Sequence, residues 1–172
     1  SNGSRFDLDS YYHRIYAKTA SLFELAAAAA AKLANAERDV VHAAGLFGSA
    51  FGMAFQIMKD VSDIAEGLGD NNSFVDANLR QGVLSLPFLH YLDLNPEDPD
   101  LVIIQNKNGH QNGNLERLIK SVRQSEALTL SQSEAHSFVH QALNALAAFP
   151  ESQRRYDLEA LVLSIFSTSQ TP

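Results

Sequence analysis

Apolar residues in this chain recur at steps of three and four, and that spacing runs through most of its length. The clearest stretch opens with Tyr12, Ile15, Tyr16, Leu22, Phe23 and Ala26. It continues into an unbroken alanine run, Ala26 to Ala31. A period near 3.6 puts such residues on one helix face, and alanine is the strongest helix former. The pattern predicts a first helix from a cap at Asp9 or Ser10 to about Lys32, with a turn at Asn35.

A second long helix is expected over Ala36 to Glu66, with Gly45, Gly48 and Gly52 inside it. Each glycine costs about 1 kcal/mol against alanine in a helix. Close approach of another helix is the reason to expect them there. Gly67 to Asn78 reads as a polar loop. A short apolar helix follows around Leu84 to Tyr91, with Pro87 tolerated in its first turn. Asn95-Pro96-Glu97-Asp98-Pro99 is a break. Leu101 to Ile104 has strand composition but no partner strand, so it reads as a helix start, and Asn106 to Asn114 reads as a loop. Three helices are expected to close the chain: Leu115 to Gln124, Ser131 to Ala148 and Ser152 to Ser167. Ser131 and Glu134 have capping-box spacing, and Pro150 separates the last two helices. The expectation is an all-α bundle of about six helices in a single domain over residues 5–172, with Ser1 to Ser4 as a tag remnant.

Composition excludes several classes. Net charge is −7, so the chain has no general attraction for nucleic acid. Cysteine is absent, which rules out disulfides and thiolate metal sites and suits a cytoplasmic protein. Lys18, Glu24 and Lys32 bracket the alanine run too closely for about 20 uncharged residues, so no membrane span is expected there.

Asp60 and Asp63 stand three apart and share a helix face. Mg²⁺ is often held by one or two carboxylates with water and phosphate oxygens completing its shell, so this pair suggests a diphosphate site. A solvated helix face explains the same spacing. His136 and His140 have a zinc-compatible spacing but no evident third ligand, and read as ordinary helix histidines. Phe47, Phe51 and Phe55 form a stripe at four-residue steps, which reads as core.

Three segments together carry a resemblance. They are Lys18-Thr19-Ala20, then Phe55-Gln56-Ile57-Met58-Lys59-Asp60-Val61-Ser62-Asp63, then Gly82-Val83-Leu84-Ser85-Leu86-Pro87. In order and spacing they resemble the second half of the trans-isoprenyl diphosphate synthase (polyprenyl synthetase) family, over most of residues 8–167. The resemblance implies the C-terminal part of an isoprenoid synthase-type helical fold around a deep cavity. It implies a prenyltransferase reaction joining an allylic diphosphate to isopentenyl diphosphate. It implies Mg²⁺ held between two Asp-rich motifs. Half of such a bundle would expose apolar faces that the other half covers, so dimerisation is expected. Carried over, Lys18 and Thr19 would touch a diphosphate, Gln56 would lie near the reacting carbons, and Asp60 and Asp63 would face the metal.

The chain departs from the family pattern in four ways. Only 17 residues precede Lys18, so the first Asp-rich motif and one cavity wall are not in this sequence. Lys59 stands where the second motif has its first Asp. Val83 stands where the family has a phosphate-binding Lys, and Asn78 where an Asp is often found. The last three changes fall in segments expected to serve the allylic diphosphate. The reading is therefore a synthase-like subunit or fragment without catalytic competence of its own, with Mg²⁺ binding weakened or lost. Its partners would be isopentenyl or allylic diphosphate and a second copy or a full-length prenyl synthase. The alternatives are the C-terminal piece of an active prenyltransferase, and a helical interaction protein with no ligand site.

Overall fold

The structure, a computed structural model, describes residues 7–66, 78–79, 81–101 and 114–167. The expected loop over Gly67 to Asn78 and the tag remnant lie outside them, apart from Asn78. Every regular element among the described residues is helical. They are α1 (Leu8–Ile15), a π turn (Tyr16–Ala20), α2 (Ser21–Leu33), α3 (Arg38–Ala65), α4 (Leu86–Leu94), a 3₁₀ turn (Pro99–Leu101), α5 (Asn114–Gln124), α6 (Ala127–Ala145), a second 3₁₀ turn (Leu146–Ala148) and α7 (Gln153–Ser167). With α1 and α2 counted as one rod, the six expected helices are present. Leu101 closes the first 3₁₀ turn instead of opening a helix, and residues 102–104 lie outside the described set.

Two caps differ from the sequence reading. The Ser10 backbone N–H donates to Asp7 Oδ1 at 2.5 Å, so Asp7 caps α1 in place of Asp9 or Ser10. Ser131 lies inside α6, fully buried, and its hydroxyl donates to the Ala127 carbonyl at 2.8 Å. It makes no capping box, because α6 begins a full turn earlier, where the Ala127 N–H donates to Ser125 Oγ.

The chain divides into two compact units. The first comprises residues 1–12 and 59–133. Its buried residues include Tyr11, Val61, Ile64, Leu86, Phe88, Leu118 and Val122. Here α4 lies against α5, and the Pro99–Leu101 turn packs beside α5. Asp98 anchors that turn by accepting from the Asp100 N–H at 2.8 Å and from the Tyr91 hydroxyl. Arg117 reaches back to Asp100 at 3.0 Å.

The second unit comprises residues 13–58 and 134–172. Its π turn, α2 and the larger part of α3 form a helical hairpin. At the end of α2 the Ala36 N–H reaches the Ala31 carbonyl at 3.1 Å and the Asn35 N–H reaches Lys32 at 3.0 Å. That is a Schellman ending, with Asn35 in the left-handed position at φ 55°. The glycines of α3 then explain themselves. A methyl group on Gly48 would overlap the Phe23 carbonyl and lie 2.9 Å from Glu24 Cα, and one on Gly52 would lie 2.6 Å from Ala20 Cα. The two helices touch backbone to backbone, as the spacing of small residues predicts. Phe51 joins Phe23, Phe47 and Phe55 in an aromatic row, with centroids 5.3, 6.0 and 6.4 Å away, and Phe166 of α7 meets it edge-on at 5.8 Å. The stripe expected to be core is only partly covered: Phe47 and Phe51 are half-buried and Phe55 is 42% exposed.

The α3 helix is long and apolar enough to cross a membrane, yet half of that apolar window is buried within the protein.

Candidate functional site

The π turn decides which way the residues of the first rod face. In it the Ser21 N–H bonds to the Tyr16 carbonyl five residues back, instead of four. The Ala17 carbonyl, which Ser21 N–H would take in an α-helix, accepts the Ser21 hydroxyl at 3.2 Å. The extra residue shifts the buried face by about 100°. Ile15 is therefore followed on the core side by Ala20, both buried. An unbroken helix would have followed Ile15 with Lys18 and Thr19, three and four residues on. This corrects the stripe expected from sequence: Leu22 is 65% exposed, and Tyr16 and Ala26 also face outward.

Lys18 consequently stands exposed on the π turn, a protruding ammonium. Thr19, half-buried, donates its hydroxyl hydrogen to Gln56 Oε1 on α3 at 2.9 Å. The structure thus brings Thr19 and Gln56 together across 37 residues of sequence. This bond commits the amide oxygen of Gln56 to Thr19. Three residues before Thr19, the Tyr16 hydroxyl donates to Glu24 Oε2 at 2.8 Å, spanning the π turn from outside. That bond, and then the carboxylate's charge, push the Tyr16 phenol above its ordinary pKa.

Within the first unit, the two acidic residues of α3 have different partners. Asp60, half-buried, accepts a hydrogen bond on Oδ2 from the Tyr11 hydroxyl at 2.9 Å. Asp63 pairs with Lys59, Nζ to Oδ2 at 2.7 Å, one helical turn apart. Beyond them the Arg123 guanidinium of α5 donates to the Ile64 carbonyl. A cation at the C-terminal end of α3 also meets the negative end of the helix dipole. Neither Tyr11 nor Arg123 was singled out from sequence as a partner here. The pairing of Tyr11 with a residue 49 positions away carries no sequence signal.

Among the described residues, no three His, Cys, Asp or Glu side chains gather as a metal-ligand group. His136 is half-buried and His140 exposed on α6. Gly82 takes a left-handed φ of 69° in a turn where the Val83 N–H returns to the Asn78 carbonyl at 2.8 Å. Its glycine is thus required by the backbone.

Residues 1–122 match the family model described as polyprenyl synthetase. The probable mitochondrial hexaprenyl pyrophosphate synthase of Yarrowia lipolytica is 29% identical over 160 residues, covering 93% of this chain and 35% of that protein. Component 2 of the heptaprenyl diphosphate synthase of Bacillus subtilis is 27% identical over 155 residues, covering 90% of this chain and 44% of that protein. The crystal structure of a geranylgeranyl pyrophosphate synthase from Lactobacillus brevis superposes with a TM-score of 0.82 at 27% identity, over 94% of this chain and 50% of that one. The chain spans about a third to a half of the length of these proteins.

Proposed function

The chain belongs to the polyprenyl synthetase family, and from that premise we propose that it is a prenyl diphosphate synthase-like subunit or segment without catalytic competence of its own. The observation that carries this reading is the ion pair at the second Asp-rich motif. Lys59 occupies the motif's first Asp position, and its ammonium holds Asp63 at 2.7 Å. A donor set in which an ammonium already holds one of the two carboxylates does not fit a resident Mg²⁺. Binding of Mg²⁺ is weakened or lost.

The other diphosphate contact survives in this reading. Lys18 offers a mobile ammonium, a suitable point charge for phosphate oxygens. Thr19 and Gln56 form a hydrogen-bonded pair beside it. The ligand we assign to this group is isopentenyl diphosphate, with the allylic diphosphate excluded by the altered motif. For partners we propose a second copy or a full-length synthase, and the Bacillus relative, named as a component, supports the heteromeric form. The absence of cysteine suits any reducing compartment. Since the Yarrowia relative is named mitochondrial, the assignment is wider than the cytoplasm expected from sequence.

A second reading rests on length. A chain spanning 35% of one relative and 44% of another is also what the C-terminal piece of an active prenyltransferase would look like. Calorimetric titration separates the readings. Isopentenyl diphosphate alone is expected to bind, and geranyl diphosphate with Mg²⁺ is not. Saturable binding of geranyl diphosphate that depends on Mg²⁺ would favour the active-piece reading. Binding of neither would leave a helical scaffold that acts through contacts alone.

A further inference from the structure

We infer that Lys59 is a built-in counter-ion: its ammonium occupies, on Asp63, the place of a divalent cation, so that this end of α3 is organised without metal. The inference deepens the reading above. It rests on Asp60 and Asp63 being the remains of a metal-holding motif, but not on any diphosphate being bound.

Four observations lead to it. Lys59 and Asp63 are four residues apart on one helix, the spacing at which side chains meet, and their charged atoms lie 2.7 Å apart. The pair is unevenly exposed: the Asp63 side chain keeps 16% of its surface and Lys59 keeps 49%. The carboxylate is thus the sheltered member, and its needs are met from within the helix. Asp60 is likewise satisfied by a side chain of the same unit, through the hydroxyl of the buried Tyr11. Finally, no third acidic or histidine ligand gathers with them among the described residues.

The electrostatics then point one way. Lys59, Asp60 and Asp63 together carry one negative charge, where an Asp at position 59 would make three. A divalent ion approaching Asp63 must displace an ammonium already at contact distance or share the carboxylate with it, and like charges at that range repel. Mg²⁺ gives up its hydration reluctantly and needs concentrated negative charge to do so. Lys59 removes that charge. An ammonium is also permanent: it cannot be chelated or diluted away. The acidic face of α3 should therefore be insensitive to metal supply.

The test measures metal directly, with no diphosphate and no partner chain. Failure here leaves the Lys18 and Thr19 reading standing, and failure of that reading leaves this one standing. Mn²⁺ is titrated into the protein and the free ion followed by its electron paramagnetic resonance signal, while thermal unfolding is recorded in EDTA and in Mg²⁺. The wild type is expected to show no saturable site, and the same unfolding temperature in both buffers. Lys59→Asp is expected to gain a saturable Mn²⁺ site, with an unfolding temperature that drops in EDTA and recovers in Mg²⁺. Lys59→Met, which keeps chain length and removes charge, is expected to bind with intermediate affinity, and it decides the matter if Lys59→Asp does not fold. Asp63→Asn placed on the Lys59→Asp background should abolish the gained site. The inference is overturned if the wild type binds Mn²⁺ as well as the variants do, if EDTA lowers its unfolding temperature, or if the gained site survives Asp63→Asn.

Discussion

At the residue scale, the glycines of α3 make the sharpest predictions because their surroundings differ. A Cβ at Gly48 would collide with the backbone of α2, whereas one at Gly45 would meet only Glu24 Cγ at 3.7 Å and Ala28 Cβ at 3.8 Å. Gly48→Ala should therefore destabilise by about 1–3 kcal/mol, the usual cost of overpacking. Gly45→Ala should raise stability by about 0.5–1 kcal/mol through helix propensity and the unfolded chain's lost freedom. Urea unfolding of the two variants checks both signs. The role of the glycines was legible in their spacing, but their ranking was not, because it depends on where the α2 backbone runs. His90 supplies a pH test. Burial lowers its pKa from the ordinary 6.5, with the Asp93 carboxylate opposing. A base held neutral in the fold adds stability above its unfolded pKa, and that stability is lost as pH falls through the lowered native value. Unfolding between about pH 5 and 8 should show stability declining below about 6.5, with a shallower decline in His90→Asn. Nothing in the sequence distinguished His90 from the other histidines. Ser131 misled for a related reason: capping-box spacing recurs by chance inside helices, and only the true start of α6 shows that its hydroxyl serves the Ala127 carbonyl.

At the scale of elements, the helices were legible almost to their ends, since period and breakers such as Pro150 act locally. The π turn was not. It shows only as a lapse in phase, with Ile15 and Ala20 buried five apart, and the residues between them include no Gly or Pro to mark it. Ser21 and Tyr16 brace the turn from either side, one on the Ala17 carbonyl and the other on Glu24. We predict that Ser21→Ala combined with Tyr16→Phe loosens the turn and weakens the isopentenyl diphosphate binding proposed for Lys18 and Thr19, while the helix content seen by circular dichroism is kept. Unchanged affinity in the double variant would mean that Lys18 and Thr19 are held by the hairpin packing alone. The Thr19–Gln56 pair shows the same limit from the other side. Both residues were picked out by resemblance, yet their hydrogen bond depends on the phase that the π turn sets.

At the scale of the whole molecule, α2 stands apart: it is mostly apolar, and none of its residues is buried. Its inner side meets α3 through the glycines, while Leu22, Leu25 and Leu33 are 65%, 67% and 84% exposed. Such an apolar patch favours association. Light scattering after gel filtration should show the wild type heavier than one chain, and Leu22→Glu with Leu25→Glu should shift it toward monomer while the circular dichroism spectrum is kept. A wild type that stays monomeric across the concentration range would leave a partner of another sequence to cover the helix. A cell would meet the same bare leucines as a sign of incomplete folding, and its proteases clear chains that linger in that condition. The lifetime of this chain would then be set by how soon α2 is covered, and its abundance would track that of its companion without any regulation at the gene.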